Sequence, residues 1–296
     1  MSISASMVKE LRERTGAGMM ECKKALVETS GEMDAAVEML RKSGQAKADK
    51  KSARVAADGR VVIIANGLKA AITEINSETD FVAKDENFVA YAEAVGACVL
   101  NGDAADVASL AGETLADGRT VEAARTELVS KVGENISVRR FERLEAAEHL
   151  GSYAHGARIG AIVSLNGGNA ELARDIAMHI AATNPVCIDE SGVPADTLER
   201  ERRIFSEQAA ESGKPPEIIE KMVSGRVAKF LKEITLVGQP FVKDPDVTIG
   251  KLLGSAGAEV TGFVRFEVGE GIEKKEENFA EEVAKQIEDA KKKDDK

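Results

Sequence analysis

Two stretches of the chain carry the same punctuation, and no other feature limits the fold as tightly. Val61-Val62-Ile63-Ile64 runs into a turn at Asn66-Gly67 and returns as Ala70 to Ile75; Gly151 to His155 runs into Gly156 and returns as Arg158 to Asn166. Short β-branched runs folded about a glycine turn specify antiparallel hairpins. Each hairpin is followed by a helical period. The first spans about 86–100, with Phe88, Tyr91, Ala92, Val95, Cys98 and Val99 on one face and Asp85 as N-cap; the second spans about 170–182. Aligning Gly67–Asn76 with Gly156–Asn166 leaves one residue of slack, which points to duplication of a small two-layer unit. Two further helical stretches, about 103–116 and 120–132, lead to a closing strand at Ile136–Phe141, whereas the second unit finds its closing strand late, at Glu259–Glu267.

Around this core the sequence predicts three additions. Residues 4–55 read as three short helices, built on Met7, Val8 and Leu11, then Met19, Met20, Ala25, Leu26 and Val27, then Met33, Ala36, Val37 and Leu40, with Gly16, Gly18, Gly31 and Gly44 at their ends. The basic run Lys42–Arg54 reads as a solvated linker or a helix extension. An insertion at about 195–233, broken at Gly213-Lys214-Pro215-Pro216, reads as an antiparallel helical hairpin whose thin apolar seam is covered by its own partner helix or by a second protein. Residues 273–296 read as a charged helix with a narrow stripe at Ile272, Phe279, Val283 and Ile287. The expected fold class is therefore α+β. The expected divisions are a head (1–55), a first core subdomain (56–148), a second core subdomain (149–190 and 234–268), an inserted hairpin (191–233) and a C-terminal helical module (269–296).

Charge and residue usage exclude several functions. With 40 Lys+Arg against 51 Asp+Glu the net charge is -11, and there is no Trp and only two Tyr. Phosphate backbones are held by cations and single-stranded bases by aromatic platforms, so direct nucleic-acid binding is not expected. The exception is residues 1–60, where twelve basic residues outnumber nine acidic ones. Three dispersed cysteines and three histidines, without C-x-x-C or H-E-x-x-H, suggest no disulfide framework, metal or cofactor. No phosphate-cradling G-x-x-x-x-G-K-[ST] and no nucleophile elbow G-x-S-x-G occur, so covalent catalysis is not expected either. Lacking an apolar leader or a run near 18 apolar residues, the chain is expected to be cytoplasmic and to make no membrane contact.

Three segments remain as candidates for function. Thr15 to Met20 sets two methionines after a glycine turn, either as a soft protein-binding surface or as core filling. Thr79-Asp80-Phe81-Val82 lies between the second strand and the first core helix. Either its Asp or Thr caps a helix that Phe81 staples, or a carboxylate and a ring project together as a wedge. Gly133-Glu134-Asn135 reads as a turn before a strand. His179, in mid-helix, reads as structural. A helical-hairpin adaptor or chaperone, and an enzyme acting on a small metabolite, are the competing classes.

The motifs L-R-E-R-T-G-A-G-M-M-E-C-K-K-A-L (11–26), T-D-F-V-A-K (79–84), G-E-N-I (133–136), H-G-A-R-I-G (155–160), H-I-A-A-T-N-P (179–185), G-Q-P-F-V (238–242) and E-V-T-G-F-V-R-F-E-V-G-E-G-I-E (259–273), together and in this order, resemble the bacterial elongation factor Ts family. The resemblance implies a guanine nucleotide exchange factor for elongation factor Tu. It also implies a ubiquitin-associated-like (UBA-like) three-helix head, two related α/β core subdomains, a protruding hairpin and a C-terminal helix. By the same resemblance Thr79, Asp80, Phe81 and Val82 form the exchange wedge, and Val132 and Gly133 adjoin it. Arg12, Met19 and Met20 are head contacts with the partner, and His155 and Val242 are contacts from the second subdomain. Assembly as a homodimer or as a dimer of heterodimers also belongs to what such a family allows.

Overall fold

The computed structural model describes residues 3–273. Three helices come first, α1 (Ala5–Thr15), α2 (Met19–Glu28) and α3 (Met33–Lys51). They close on Val8, Leu11, Cys22, Ala25, Leu26 and Ala36, all buried. Gly16 ends α1 in the left-handed conformation at φ 64°, a backbone state that costs a residue without Cβ little. Gly44, expected at a helix end, instead sits inside α3: a Cβ there would stand 3.0 Å from Ser130 Oγ, so the glycine lets α3 approach the core closely. The basic run after Lys42 is accordingly a helix extension as far as Lys51, with Ala48 buried in the core behind it.

The core is two three-stranded antiparallel sheets. The first has the order β1-β2-β3, with β1 Asp58–Asn66, β2 Lys69–Ser77 and β3 Ile136–Glu145. The second has the order β4-β5-β8, with β4 His149–His155, β5 Ile159–Asn166 and β8 Glu259–Glu267. The late closing strand thus falls where the sequence put it. Asn66 pairs with Lys69 across a two-residue turn and His155 with Ile159 across a three-residue turn, so the residue of slack between the repeats lies in the turn. Each unit also carries a register shift, at Glu74/Ile75 in one and Ser164/Leu165 in the other.

Helices cover the outer faces of these sheets. On the first lie α4 (Asp80–Ala83), α5 (Glu86–Asn101), α6 (Val107–Leu110) and α7 (Val121–Val132), enclosing Ile75, Phe88, Val95, Val99, Val129 and Ile136. The expected helix over 103–116 is a single turn, α6, because Asp106 and Ser109 close a capping box at its start and turns at Gly112 and Gly118 follow. On the second sheet lies α8 (Ala170–Thr183). Where the two units meet, Val61, Ala70 and Ile72 pack against Ile162, Phe266 and Val268. A Cβ on Gly160 would come within 2.7 Å of Val61 Cγ1, so the sheets approach as closely as glycine permits. The buried Glu74 carboxylate ties the units together, accepting from Arg139, Arg140 and the Gly269 N–H.

The insertion forms α9 (Ala195–Ala210) and α10 (Pro216–Ile234), which pair through a Phe205–Phe230 edge contact at 6.3 Å and buried Ala209, Val227 and Leu231. Its apolar seam is therefore covered from within only in part, with Phe205 and Phe230 half-buried and Ile218 exposed. Its root is stitched to the core where Val186 and Leu236 donate to Ile234 and Cys187 carbonyls. A short β6 (Pro240–Phe241), β7 (Asp244–Thr248) and α11 (Ile249–Ser255), which periodicity does not reveal, complete the second unit. Of the C-terminal helical module expected over 269–296, residues 269–273 are described, as a turn in which the Ile272 N–H donates to the Gly269 carbonyl at 2.9 Å, and the rest lies outside the described residues.

Candidate functional site

Chain order puts Thr79–Val82 at the end of the buried β2 and just before α5, so the segment emerges at the rim of the first sheet. Thr79 takes an extended backbone and its Oγ1 accepts from the Val82 N–H at 3.4 Å, capping the single-turn α4. Asp85 then caps α5, accepting from the Asn87 and Phe88 N–H groups at 2.9 and 3.3 Å. Both expected caps are present. The staple is not: Phe81 is 82% exposed, although the chain buries Phe88 completely seven residues later. A side chain worth roughly 2–3 kcal/mol on burial is thus left in water.

Asp80 stands beside it, also exposed. Its Oδ2 accepts from Lys84 Nζ at 2.6 Å, and that hydrogen bond holds its carboxyl below the ordinary carboxylate range. The site consequently presents an ionised carboxylate and an aromatic ring on one turn of helix. Val82 is half-buried against the core.

The second candidate turn meets the first. Gly133 ends α7 at φ 85°, and this left-handed step swings the following residue back toward β2. Glu134 then accepts two hydrogen bonds from Thr79, from its N–H at 3.0 Å and from Oγ1 at 2.7 Å. In the opposite sense Glu78 accepts from the Asn135 N–H at 2.6 Å. On the far side, Lys131 Nζ donates to Asn87 Oδ1 at 2.6 Å. The exposed turn is therefore braced at both ends from the C-terminus of α7. Glu134 was legible only as part of a turn; the signal for more was a carboxylate directly after an obligate left-handed glycine.

The remaining candidates occupy other places. Met19 and Met20 are 59% and 75% exposed on α2, with Val27 beside the same helix face, so the core-filling reading does not hold for them; Arg12 is exposed on α1. His155 is exposed at the end of β4, where the β4–β5 turn packs onto the first sheet through Val61 N–H to Ala157 O at 2.8 Å. Val242, 45% exposed, sits on the β6–β7 turn and donates its N–H to His179 Nδ1 at 3.3 Å. His179 is fully buried, its Nε2 lies 3.0 Å from Gln239 Oε1, and burial lowers its pKa. It is structural, and its role is to hold the Val242 turn. Among the described residues no group of three His, Cys, Asp or Glu is placed to hold a metal ion, and no helix is long and apolar enough to cross a membrane.

The structure is thus an α+β core that holds a solvent-exposed ring, Phe81, on a braced turn, with Met19 and Met20 exposed on α2 and Val242 on the β6–β7 turn. The profile of the family described as Elongation factor TS matches residues 78–270. Over 294 residues the chain is 65% identical to elongation factor Ts of Thioalkalivibrio sulfidiphilus, covering 98% of this chain and 100% of that one. Identity is 61% over 290 residues to the Methylococcus capsulatus protein of the same name (97% and 99% covered), and 54% over 288 residues to that of Legionella pneumophila strain Paris (97% and 99% covered). The chain belongs to the elongation factor Ts family, a family of translation elongation factors serving nucleotide exchange.

Proposed function

We propose that this protein binds elongation factor Tu in its GDP state and speeds GDP release by pressing the Asp80–Phe81 turn against the partner's Mg²⁺ and phosphate-binding loop. The observation that carries the reading is the 82% exposure of Phe81 on a turn held rigid by its neighbours. An exposed ring on a preset support reaches a pocket without first paying to order itself.

The chemistry asked of the site is displacement alone. Mg²⁺ bridges the nucleotide's terminal phosphates and neutralises them, and backbone amides cradle the same oxygens, so moving either weakens GDP. A carboxylate beside the ring adds a negative charge where the partner holds anionic phosphate. Speeding release by ~10³-fold lowers the barrier by about 4 kcal/mol, within reach of one buried Phe plus lost Mg²⁺ contacts. Linkage then requires GDP to weaken binding of this protein by the same factor that this protein weakens GDP.

Thr79 and Val82 support the turn, and Val132 and Gly133 flank it. Arg12, Met19 and Met20 supply a separate contact from the head, while His155 and Val242 serve as contacts from the second unit. The test is direct: fluorescent GDP preloaded on elongation factor Tu should leave much faster when this chain is added, and the two proteins should co-elute most tightly with nucleotide removed. An unchanged release rate removes the reading.

A further inference from the structure

The turn that carries Phe81 is one turn long and flanked by solvent, and a four-residue helix does not hold itself. Its own hydrogen bonds are few: Ala83 N–H to Thr79 O at 3.3 Å, Lys84 N–H to Phe81 O at 3.2 Å and Asp85 N–H to Val82 O at 3.0 Å. The stronger anchor comes from elsewhere. The Glu134 carboxylate takes both donors of Thr79, the residue on which α4 is capped, and charge-assisted bonds of this kind are about twice as strong as neutral ones. The pairing is reciprocal, since Glu78 takes the N–H of Asn135 and lies 3.5 Å from Arg54, and Asn135 in turn donates through Nδ2 to the Arg54 carbonyl at 2.7 Å.

We propose that Glu134 is a positioning residue for exchange, fixing the turn that presents Asp80 and Phe81 by clamping Thr79 from across the sheet rim, so that the wedge is preset before any partner is met. This deepens the wedge reading and rests on it. Gly133 is part of the device: at φ 85° it directs Glu134 under Thr79, and a residue with Cβ would be strained there. Glu134→Ala removes both acceptors. Glu134→Gln keeps one carbonyl oxygen and loses the charge, so it stands between the two.

The experiment is hydrogen exchange by NMR on the free full-length protein, paired with the rate of GDP release from elongation factor Tu. In Glu134→Ala the amides of Thr79, Ala83, Lys84 and Asp85 should exchange at least about tenfold faster while those of β2 and β5 keep wild-type protection. Acceleration of GDP release should fall about tenfold, with Glu134→Gln intermediate in both readouts. Wild-type protection of these amides overturns the proposal, and a simultaneous loss of activity would then mean that Glu134 touches the partner itself. Loosened amides with full acceleration overturn it as well, because the presetting would serve no purpose. A wild-type rate for Phe81→Ala is a separate failure, of the wedge reading, and it removes the positioning role however the amides behave.

Discussion

Phe81 and Phe88 stand on either side of the Asp85 cap, and the first is 82% exposed while the second has no exposed surface at all. The same side chain, in the same segment, is spent once on the core and once on the outside. Phe88 packs among Ile75, Val95, Val129 and Ile136 beneath the first sheet. Phe81 is kept out of that core by α4, which turns it outward before α5 begins.

Phe88→Ala should therefore act on stability, costing about 3–5 kcal/mol through lost burial and the cavity left behind. Urea unfolding followed by circular dichroism reads this as a lower midpoint; a midpoint equal to wild type would contradict the core placement.

Asp80→Asn should leave the melting temperature where it is, since the carboxylate is exposed, and should slow GDP release from elongation factor Tu. Lys84 holds the Asp80 carboxyl below its ordinary range, so the folded protein keeps it ionised throughout pH 5 to 8. The ratio of wild-type to variant release rates should accordingly be flat across that window. A ratio that collapses toward one at pH 6 would show that Asp80 takes up a proton within that window, against the hold of Lys84 on its ionised form.

Met19→Ala and Met20→Ala should weaken binding to elongation factor Tu, by about 1–2 kcal/mol each if they are anchors, with little change in stability because both side chains are exposed. Calorimetric titration measures this. Point changes are cleaner than removing residues 1–55, because α3 covers part of the core: Ala48 is buried there and Gln45 Oε1 accepts from Thr126 Oγ1 at 3.2 Å.

Acid should loosen the second unit through His179. Burial lowers its pKa below the ordinary value of about 6.5, and Nδ1 must stay unprotonated to accept from the Val242 N–H. Below that pH the unfolded chain takes up a proton that the folded chain refuses, so this contribution is complete above about pH 6.5 and shrinks as pH falls, by at most about 1.4 kcal/mol per unit. Thermal melts between pH 7.5 and 5 should show the decline, and His179→Gln should flatten it. Equal slopes in both proteins would contradict the assignment.

Much of this was legible in the sequence, for reasons that differ element by element. The hairpins showed themselves because their turns need glycine and their strands are short β-branched runs on either side of it, and even the late β8 carries a strand pattern of its own. Asp85 was readable as a cap because capping is local. Gly44 was misplaced because its reason is a neighbouring helix, not its own: the glycine makes room for Ser130. The stretch 103–116 has helical composition, yet its capping box delays the start to Val107 and the turn at Gly112 stops α6 after one turn. The bracing of Thr79 by Glu134 joins residues 55 positions apart, and no periodicity signals a contact of that range.

The most direct measurement is stopped-flow release of fluorescent GDP from elongation factor Tu with saturating wild-type protein or Phe81→Ala. Loss of most of the acceleration, with the variant's melting curve unchanged, is the expected result. Full acceleration by Phe81→Ala would contradict the wedge.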